Sequence, residues 1–567
     1  MTTGGLERSD SGNVPAQAPD WQVALHRRSF LEGDALTRAR ALLDPDGVQV
    51  LCGPFDRIES PWLEPQGIVS QSDDGVVIAY GAIDGRPTVI ASIEQGFQGG
   101  GTGEVSGAKI ASALRLAARD TRDGRPTAAV LLLETGGVRL QEANLGLNAV
   151  AEICSAVLEL RDVAPVIGVV AGEVGCFGGM SIAAGLCTQL IATPQGRIGL
   201  NGPAVIEQEA GTEEFDSSDR ALIWDVDGGA RRVEAGLADT LVPDDTDRLR
   251  AAVSTAVAAG VPPQDSLRSR QVDALATRIA TARPQRPAAT DPSLQAGGRG
   301  RTWLTALART SPAEVIPSVV RADAADATYL AVTPDPRNPF HRARHGEVGL
   351  TEAWALAVAV DDVVRADAGA TDKRAIVAVV DLPSQAYGRI EETAGLHQAI
   401  AVTVDAYQRA RNAGHPIVAV VVGSALSGGF LAHGLQAQQI LALDDPGVQI
   451  HAMHKSAAAR ITQRTVDELD KLAKTILPLS FDVRDWAQLG FCDGLLTVSD
   501  ADHPSTADVA AVREAIHTAV AAARTGPRDL SNRLESAAAV RNRKASRTIR
   551  ATIAEQWPSR WPPRWPT

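Results

Sequence analysis

Four unbroken apolar runs occur at matching places in the two halves of the chain. They are AVLLLE (Ala129 to Glu134) and VIGVVAG (Val166 to Gly172), then AIVAVVD (Ala375 to Asp381) and PIVAVVVGS (Pro416 to Ser424). Runs this short, rich in β-branched residues and lacking polar alternation, predict strands buried on both faces of a parallel sheet. In each half a strand is followed by a Gly- or Pro-marked turn, a helix, a second strand and a glycine pair that opens another helix. Glu134 to Gly179 spans 45 residues and Asp381 to Gly429 spans 48, enough in both cases for a turn, a helix and a returning strand. The chain therefore reads as a duplicated βαβ core, a repeat of architecture rather than of letters. Ahead of it, SFLEGDALTRARALL (Ser29 to Leu43) predicts a capped amphipathic helix. Pro416 to Gly434 approaches the length of a membrane span, but its β-branched start and its Ser424, Ser427, Gly428, Gly429 and His433 predict a buried strand running into a helix.

Between about Arg283 and Arg301 the segment RPQRPAATDPSLQAGGRGR has the composition of a linker. This divides the chain into a flexible N-terminus (1–28), a first α/β domain (29–282), the linker (283–300), a second α/β domain (301–524) and a tail (525–567). The tail carries the basic segment RNRKASRTIR and ends in WPSRWPPRWPT. It reads as an appended helix and a disordered or docking end, in which Arg541, Arg543, Lys544, Arg547 and Arg550 offer a strip for an acidic partner.

With 567 residues the chain is too long for one core. A net charge of −13 argues against a general nucleic-acid binder, which needs a positive field to displace counterions. The five cysteines (Cys52, Cys154, Cys176, Cys187, Cys492) form no CxxC pair, which implies a reducing compartment and no zinc ribbon. The first residues lack the apolar core of a signal peptide, so the expected location is the cytoplasm, with no membrane association.

The candidate chemistry lies in two turns of each half. They are Thr135-Gly136-Gly137 and Cys176-Phe177-Gly178-Gly179 in the first, and Leu382-Pro383-Ser384-Gln385 and Leu426-Ser427-Gly428-Gly429 in the second. A Gly-rich strand-to-helix turn presents backbone N–H groups that can hold a developing oxyanion. Taken singly, such a turn is most often a packing device; two of them after neighbouring strands, in both halves, point to a cleft of N–H donors. Arg139 and Glu142, just after the first pair, read as a brace for the turn. His451 and His454 have metal-like HxxH spacing but no nearby carboxylate, so no metal is expected.

The stretches GFQGGGTGEVSGAKI (Gly96 to Ile110), ETGGVRLQEA (Glu134 to Ala143) and GCFGGMSIAAGLCTQLIATPQGRIGLNGPAVIEQ (Gly175 to Gln208) resemble the carboxyltransferase β subunit of bacterial acetyl-CoA carboxylase. VVDLPSQAYGRIEETAGLHQAIA (Val379 to Ala401) and GSALSGGFLAHG (Gly423 to Gly434) resemble the matching α subunit. Departures are clear. The zinc-ribbon cysteine pairs are absent, the Asp-Thr-Pro-Gly turn is replaced by Asp381-Leu382-Pro383-Ser384, and no Met-Lys-Met biotin site exists, since the methionines are Met1, Met180 and Met453. LCGPFDRIESPWLEPQGIVSQSDDGVV (Leu51 to Val77) and IHAMHKSAAARIT (Ile450 to Thr462) instead resemble the β and γ subunits of biotin-independent malonate decarboxylase, fused in one chain. The resemblance covers about Ser29 to Thr497 apart from the linker.

The resemblance implies two crotonase-like ββα-superhelix domains in tandem, their sheets packed face to face with the site in the cleft between them. It implies decarboxylation of a malonyl thioester to an acetyl thioester, a reaction that needs enolate stabilisation but neither a metal nor a nucleophile. Gly136, Gly137, Gly178 and Gly179 are then the expected donors to the thioester oxygen, and Gly428 and Gly429 hold the carboxylate or the departing carbon dioxide. Tyr387 and Ser427 are the candidate proton donors to the α-carbon. No cofactor is expected to be bound permanently, and no biotin. The malonyl group would arrive on an acyl carrier protein subunit bearing a CoA-derived arm of the phosphoribosyl-dephospho-CoA type, loaded by an acetyl-S-carrier:malonate transferase (α) subunit. Lys109, Lys455 and Arg342, the last within the basic run His341, Arg342, Arg344, His345, are the candidates for contacting the arm's phosphates. A homodimer is compatible with this reading. The alternatives are the carboxyltransferase component of a biotin-dependent acyl-CoA carboxylase and a non-catalytic assembly subunit.

Overall fold

A computed structural model of the chain describes residues 27–284 and 297–558. The first 26 residues, most of the expected linker and the end of the WPSRWPPRWPT tail lie outside the described residues.

The first half is built on a seven-stranded sheet in simple chain order. Its strands are β1 (Gln49–Leu51), β2 (Val76–Ile83), β3 (Arg86–Ile93), β4 (Ala128–Leu132), β5 (Val166–Val170), β6 (Gln189–Ala192) and β7 (Thr240–Leu241). β1, β2 and β3 are antiparallel, and β3 through β7 are parallel. The hairpin between β2 and β3 turns at Asp84 and Gly85, both with positive φ, the conformation that an Asp-Gly pair adopts most readily. Along β4, Ala129 and Leu131 enter a core shared with the second half, while Ala128, Val130 and Leu132 enter a separate core on the other face. That period-two alternation with apolar residues on both sides is why the run carries no polar positions. Among the helices of this half are α1 (Ala35–Leu42), α2 (Glu104–Arg122), α3 (Ala143–Arg161), α4 (Gly179–Leu186) and α5 (Thr246–Ala259). The first of these starts later than expected, because Asp34 caps it by accepting from the Thr37 amide at 2.7 Å, while the Phe30 amide donates to Asp244 at 2.8 Å.

The second half repeats the plan. β8 (Ala313–Ile316), β9 (Val319–Asp323) and β10 (Ala327–Val332) form an antiparallel edge. The parallel strands follow as β11 (Ala375–Leu382), β12 (Ile417–Leu426), β13 (Gln439–Leu443) and β15 (Gly494–Leu496), with β14 (Ile450–His451) pairing beside the end of β12. Helices α6 (Leu396–Asn412), α7 (Ser427–His433) and α8 (Lys455–Ile461) follow β11, β12 and β14. Pro416 to Gly434 is thus β12 running into α7. Each half has the crotonase-like arrangement, an antiparallel edge followed by parallel strands with crossover helices.

The sequence leads one to expect the halves to meet sheet against sheet; they meet through helices instead. Parallel crossovers place helices on the sheet faces, and α3 and α4 of the first half pack on α6 and α7 of the second. α4 and α6 approach closely at Gly185, where a Cβ would stand 3.1 Å from that of Ala401. Arg161 of α3 forms a buried ion pair with Asp405 of α6, and the arginines around Asp405 (Arg161, Arg409, Arg270) hold its carboxyl well below the usual range against the opposing effect of burial.

Part of the basic tail turns inward. Its last helix, α9 (Lys544–Gln556), lies along α2 of the first half. Arg543 and Arg550 both pair with the buried Glu152 of α3, the former at 2.9 Å. The Trp557 indole donates to Asp120 at 2.8 Å and meets the Tyr80 ring edge-on at 5.1 Å. The expected docking strip is therefore corrected for Arg543 and Arg550: on one helix face, residues seven apart turn inward together.

Candidate active site

A cleft of about 360 Å³ opens between the halves. One wall comes from the loop around Gln98 to Gly101, from Gly136 to Gln141, and from Gly178, Gly179 and Asn201; the facing wall comes from Gln385, Ser427, Gly428 and Leu431. Met453, Ile461 and Thr462, around α8, close one end. The two first-half turns touch backbone to backbone at Gly137 and Gly178, so the ends of β4 and β5 deliver their amides to one place.

Which amides are free differs from expectation. Gly136 N–H donates to Gly99 O at 2.9 Å, Gly137 N–H to Thr135 Oγ1 at 3.0 Å and Gly178 N–H to Leu200 O at 2.9 Å. Tight turns use their own N–H groups to hold their shape, and the donors left over belong to the next residues. Val138 N–H and Gly179 N–H have no acceptor among the described residues, and both residues line the cleft. Gly179 is the first residue of α4, where the opening amides of a helix have no intrahelical partner. Gly179 is thus the one expected first-half donor with a free hydrogen, and Val138 is a donor that sequence reasoning missed.

In the second half, Gly428 N–H donates to the side-chain oxygen of Gln385 at 2.8 Å. Gly429 does not line the cleft; its Cα packs on the Ser384 carbonyl, where a Cβ would come within 2.5 Å. Neither glycine amide therefore holds a carboxylate in this arrangement. Ser427 lines the cleft with φ +57°, a left-handed conformation that strains a residue with a side chain. Tyr387 is buried behind it, and its hydroxyl lacks a well-formed hydrogen bond. Burial, with Glu209 adding to it, pushes the phenol up to about 12.

The three expected phosphate contacts stand away from the cleft lining. Lys109 is buried, with Nζ donating to the carbonyls of Asp73, at 2.9 Å, and Val76. Lys455 pairs with Asp470 at 2.9 Å, and Arg342 donates to Ala210 O at 2.8 Å and pairs with Glu214. Long cations in an acidic chain find carboxylates and carbonyls at hand, which their sequence positions do not reveal. Arg139 braces the turn: its guanidinium holds Asp74 at 2.8 Å and Glu142 at 2.7 Å, all three side chains buried. It is the only ionisable side chain lining the cleft among the described residues. His451 stacks on Phe481 at 3.8 Å, and no cluster of three His, Cys, Asp or Glu able to hold a metal occurs among the described residues.

A family model described as the malonate decarboxylase gamma subunit matches residues 343–557, and one described as the carboxyl transferase domain matches residues 63–291. Two Malonomonas rubra proteins described as malonyl-S-ACP:biotin-protein carboxyltransferases are similar to the chain. MADC is 41% identical over 230 residues, covering 39% of this chain and 72% of its own length. MADD is 41% identical over 133 residues, covering 23% of this chain and 46% of its own length. Among solved structures, a chain of a Pseudomonas malonate decarboxylase hetero-tetramer in complex with malonate is 54% identical over 49% of this chain and 96% of its own, with a TM-score of 0.45.

Proposed function

Because the chain belongs to the malonate decarboxylase family, as a fusion of β-like and γ-like components, we propose that its cleft removes carbon dioxide from a malonyl thioester without biotin. The bond between the α-carbon and the carboxylate breaks, and its electron pair moves through the α-carbon onto the thioester oxygen. Carbon dioxide departs, and a proton added to the α-carbon leaves an acetyl thioester.

The observation that carries this reading is the convergence of two free backbone donors, Val138 N–H and Gly179 N–H, in a cleft whose one lining charge, Arg139, is already neutralised by Asp74 and Glu142. The reaction moves negative charge from the carboxylate to the thioester oxygen, so donors fixed at the second place and weak binding at the first are what speed it. Loss of one such donor costs on the order of 2.7–4 kcal/mol of barrier. Ser427 and Tyr387 remain the side chains nearest to a protonation role, Tyr387 acting as a neutral phenol.

On this reading the malonyl group arrives on the CoA-derived arm of an acyl carrier subunit, loaded by a separate transferase subunit, and the chain works within a multi-subunit assembly. Five free thiols suit a reducing cytoplasm. The names of the Malonomonas relatives favour a second reading, transfer of the carboxyl group to a biotin protein.

The test is carbon dioxide release from malonyl-CoA or the malonyl carrier by the purified chain, with avidin present. Gly179→Pro removes the N–H at a helix position that accepts proline and adds a ring, and Gly179→Ala adds the Cβ crowding against Val150 while keeping the donor. Release should fall about 100-fold or more in the proline variant and much less in the alanine variant. No release by the wild-type chain, with carboxyl transfer once a biotin protein is supplied, would favour the second reading.

A further inference from the structure

Gln385 and Asn201 face each other across the two halves in a hydrogen-bonded series with only one consistent direction. Gly428 N–H can only donate, so the oxygen it meets at 2.8 Å is Gln385 Oε1. Gln385 Nε2 then donates to Asn201 Oδ1 at 2.7 Å. Asn201 Nδ2 in turn donates to Glu392 Oε1 at 2.9 Å and to Ala386 O at 2.8 Å, a carbonyl that cannot donate back. Glu392 also accepts from the amides of Leu200 and Asn201 at 3.0 and 2.8 Å. All of these side chains are buried, so the amide of Gln385 is fixed in rotation and polarity.

One hydrogen on Gln385 Nε2 is spent on Asn201. The second has no acceptor among the described residues, although Gln385 lines the cleft opposite Val138 and Gly179. We propose that this remaining N–H, with Gln385 clamped by Asn201 and Gly428, holds the free carboxylate of the malonyl group and turns it out of the plane of the thioester. The inference rests on the decarboxylation proposed above and assigns the half of the site that the glycine amides do not supply.

A neutral donor suits the place. The carboxylate loses its charge as the carbon–carbon bond breaks, the electron pair going to the α-carbon and thioester oxygen and the carboxylate leaving as carbon dioxide. A cation facing the carboxylate would stabilise the starting state more than the transition state and slow the step. A single neutral N–H, fixed by its neighbours, orients the group and releases it. Asn201 acts through Gln385 as a positioning residue.

The experiment compares wild type, Gln385→Ala and Gln385→Lys in the full chain. Calorimetric affinities for malonyl-CoA and acetyl-CoA, which differ only in the carboxylate, are measured beside kcat and KM for carbon dioxide release. Gln385→Ala should bind acetyl-CoA as wild type does, bind malonyl-CoA several-fold more weakly, and lose about tenfold in kcat. Gln385→Lys should bind malonyl-CoA more tightly and lower KM, yet turn over at least tenfold more slowly. Equal weakening of both ligands in both variants would overturn the proposal and leave Gln385 a structural link between the halves. Should the wild-type chain release no carbon dioxide, the decarboxylation reading fails, while the malonyl-to-acetyl affinity ratio still decides whether Gln385 touches the carboxylate.

Discussion

Gly137 and Gly178 leave no room for a side chain between them: a Cβ on Gly178 would stand 2.8 Å from the Cα of Gly137, and a Cβ on Gly137 would stand 3.1 Å from the Cα of Gly178. Gly178 also sits at φ +60°, ψ −151°, a region open essentially to glycine alone. Gly178→Ala must therefore push apart the turn that carries Val138 N–H and the helix that begins at Gly179. Displacements of this kind at a reacting centre cost on the order of 100-fold in rate. We expect kcat to fall about that much, with a stability loss of about 1–3 kcal/mol in urea unfolding. Wild-type kcat in a folded Gly178→Ala variant would exclude these turns from the reaction.

No cleft-lining group among the described residues changes charge near neutrality. Asp74 and Glu142 raise Arg139 against the effect of burial, and behind the lining burial pushes Tyr387 up to about 12. The pH profile of kcat should therefore be flat from about pH 6 to 10, without the bell of an acid–base pair. An inflection near 7 would instead implicate a buried acid such as Glu391, which burial raises to about 7, and would move the proton source away from Tyr387.

Arg139→Met should remove the cation paired with two buried carboxylates, Asp74 and Glu142. Breaking one side of such a network costs about 3–5 kcal/mol, which denaturant unfolding measures directly. Adding Glu142→Gln to Arg139→Met should recover part of that loss, a non-additivity that two unconnected residues do not give.

The last helix should respond to acid. Burial alone would raise Glu152, but Arg543 and Arg550 outweigh it and hold the carboxyl at about 2, below its ordinary 4.5. A group depressed in this way contributes its stability above its unfolded pKa and loses it as pH falls toward the folded value. Hydrogen-exchange protection of residues 544–556 should decline between about pH 4.5 and 2 in the wild type. In Glu152→Gln it should already be low at pH 6 and change little on acidification.

The four central strands and the glycine turns were legible because both follow from local chemistry: β-branched runs buried on two faces, and paired glycines where a strand turns into a helix. The Asp84-Gly85 hairpin carries an equally local signal, an Asp-Gly pair between two apolar strands. Ownership of the amide hydrogens was not legible. Whether Gly136 donates to a substrate or to Gly99 depends on a loop from elsewhere in the chain, and whether Gly428 is free depends on the rotamer of Gln385. Lys109 illustrates the same limit: its residue type suggests a phosphate contact, while tertiary packing turns Nζ onto two carbonyls inside the fold.

Residues 543–557 come from the end of the chain yet rest on α2, α3 and Tyr80 of the first half. Beside the packing of α3 and α4 on α6 and α7, the second half is thus held to the first by this returning strap as well as by the polypeptide between residues 284 and 297. A cut in the connecting segment would give two chains but still one particle, because the helix interface and the strap both remain seated. The place where the protein is easiest to divide in sequence is not a place where it comes apart in space.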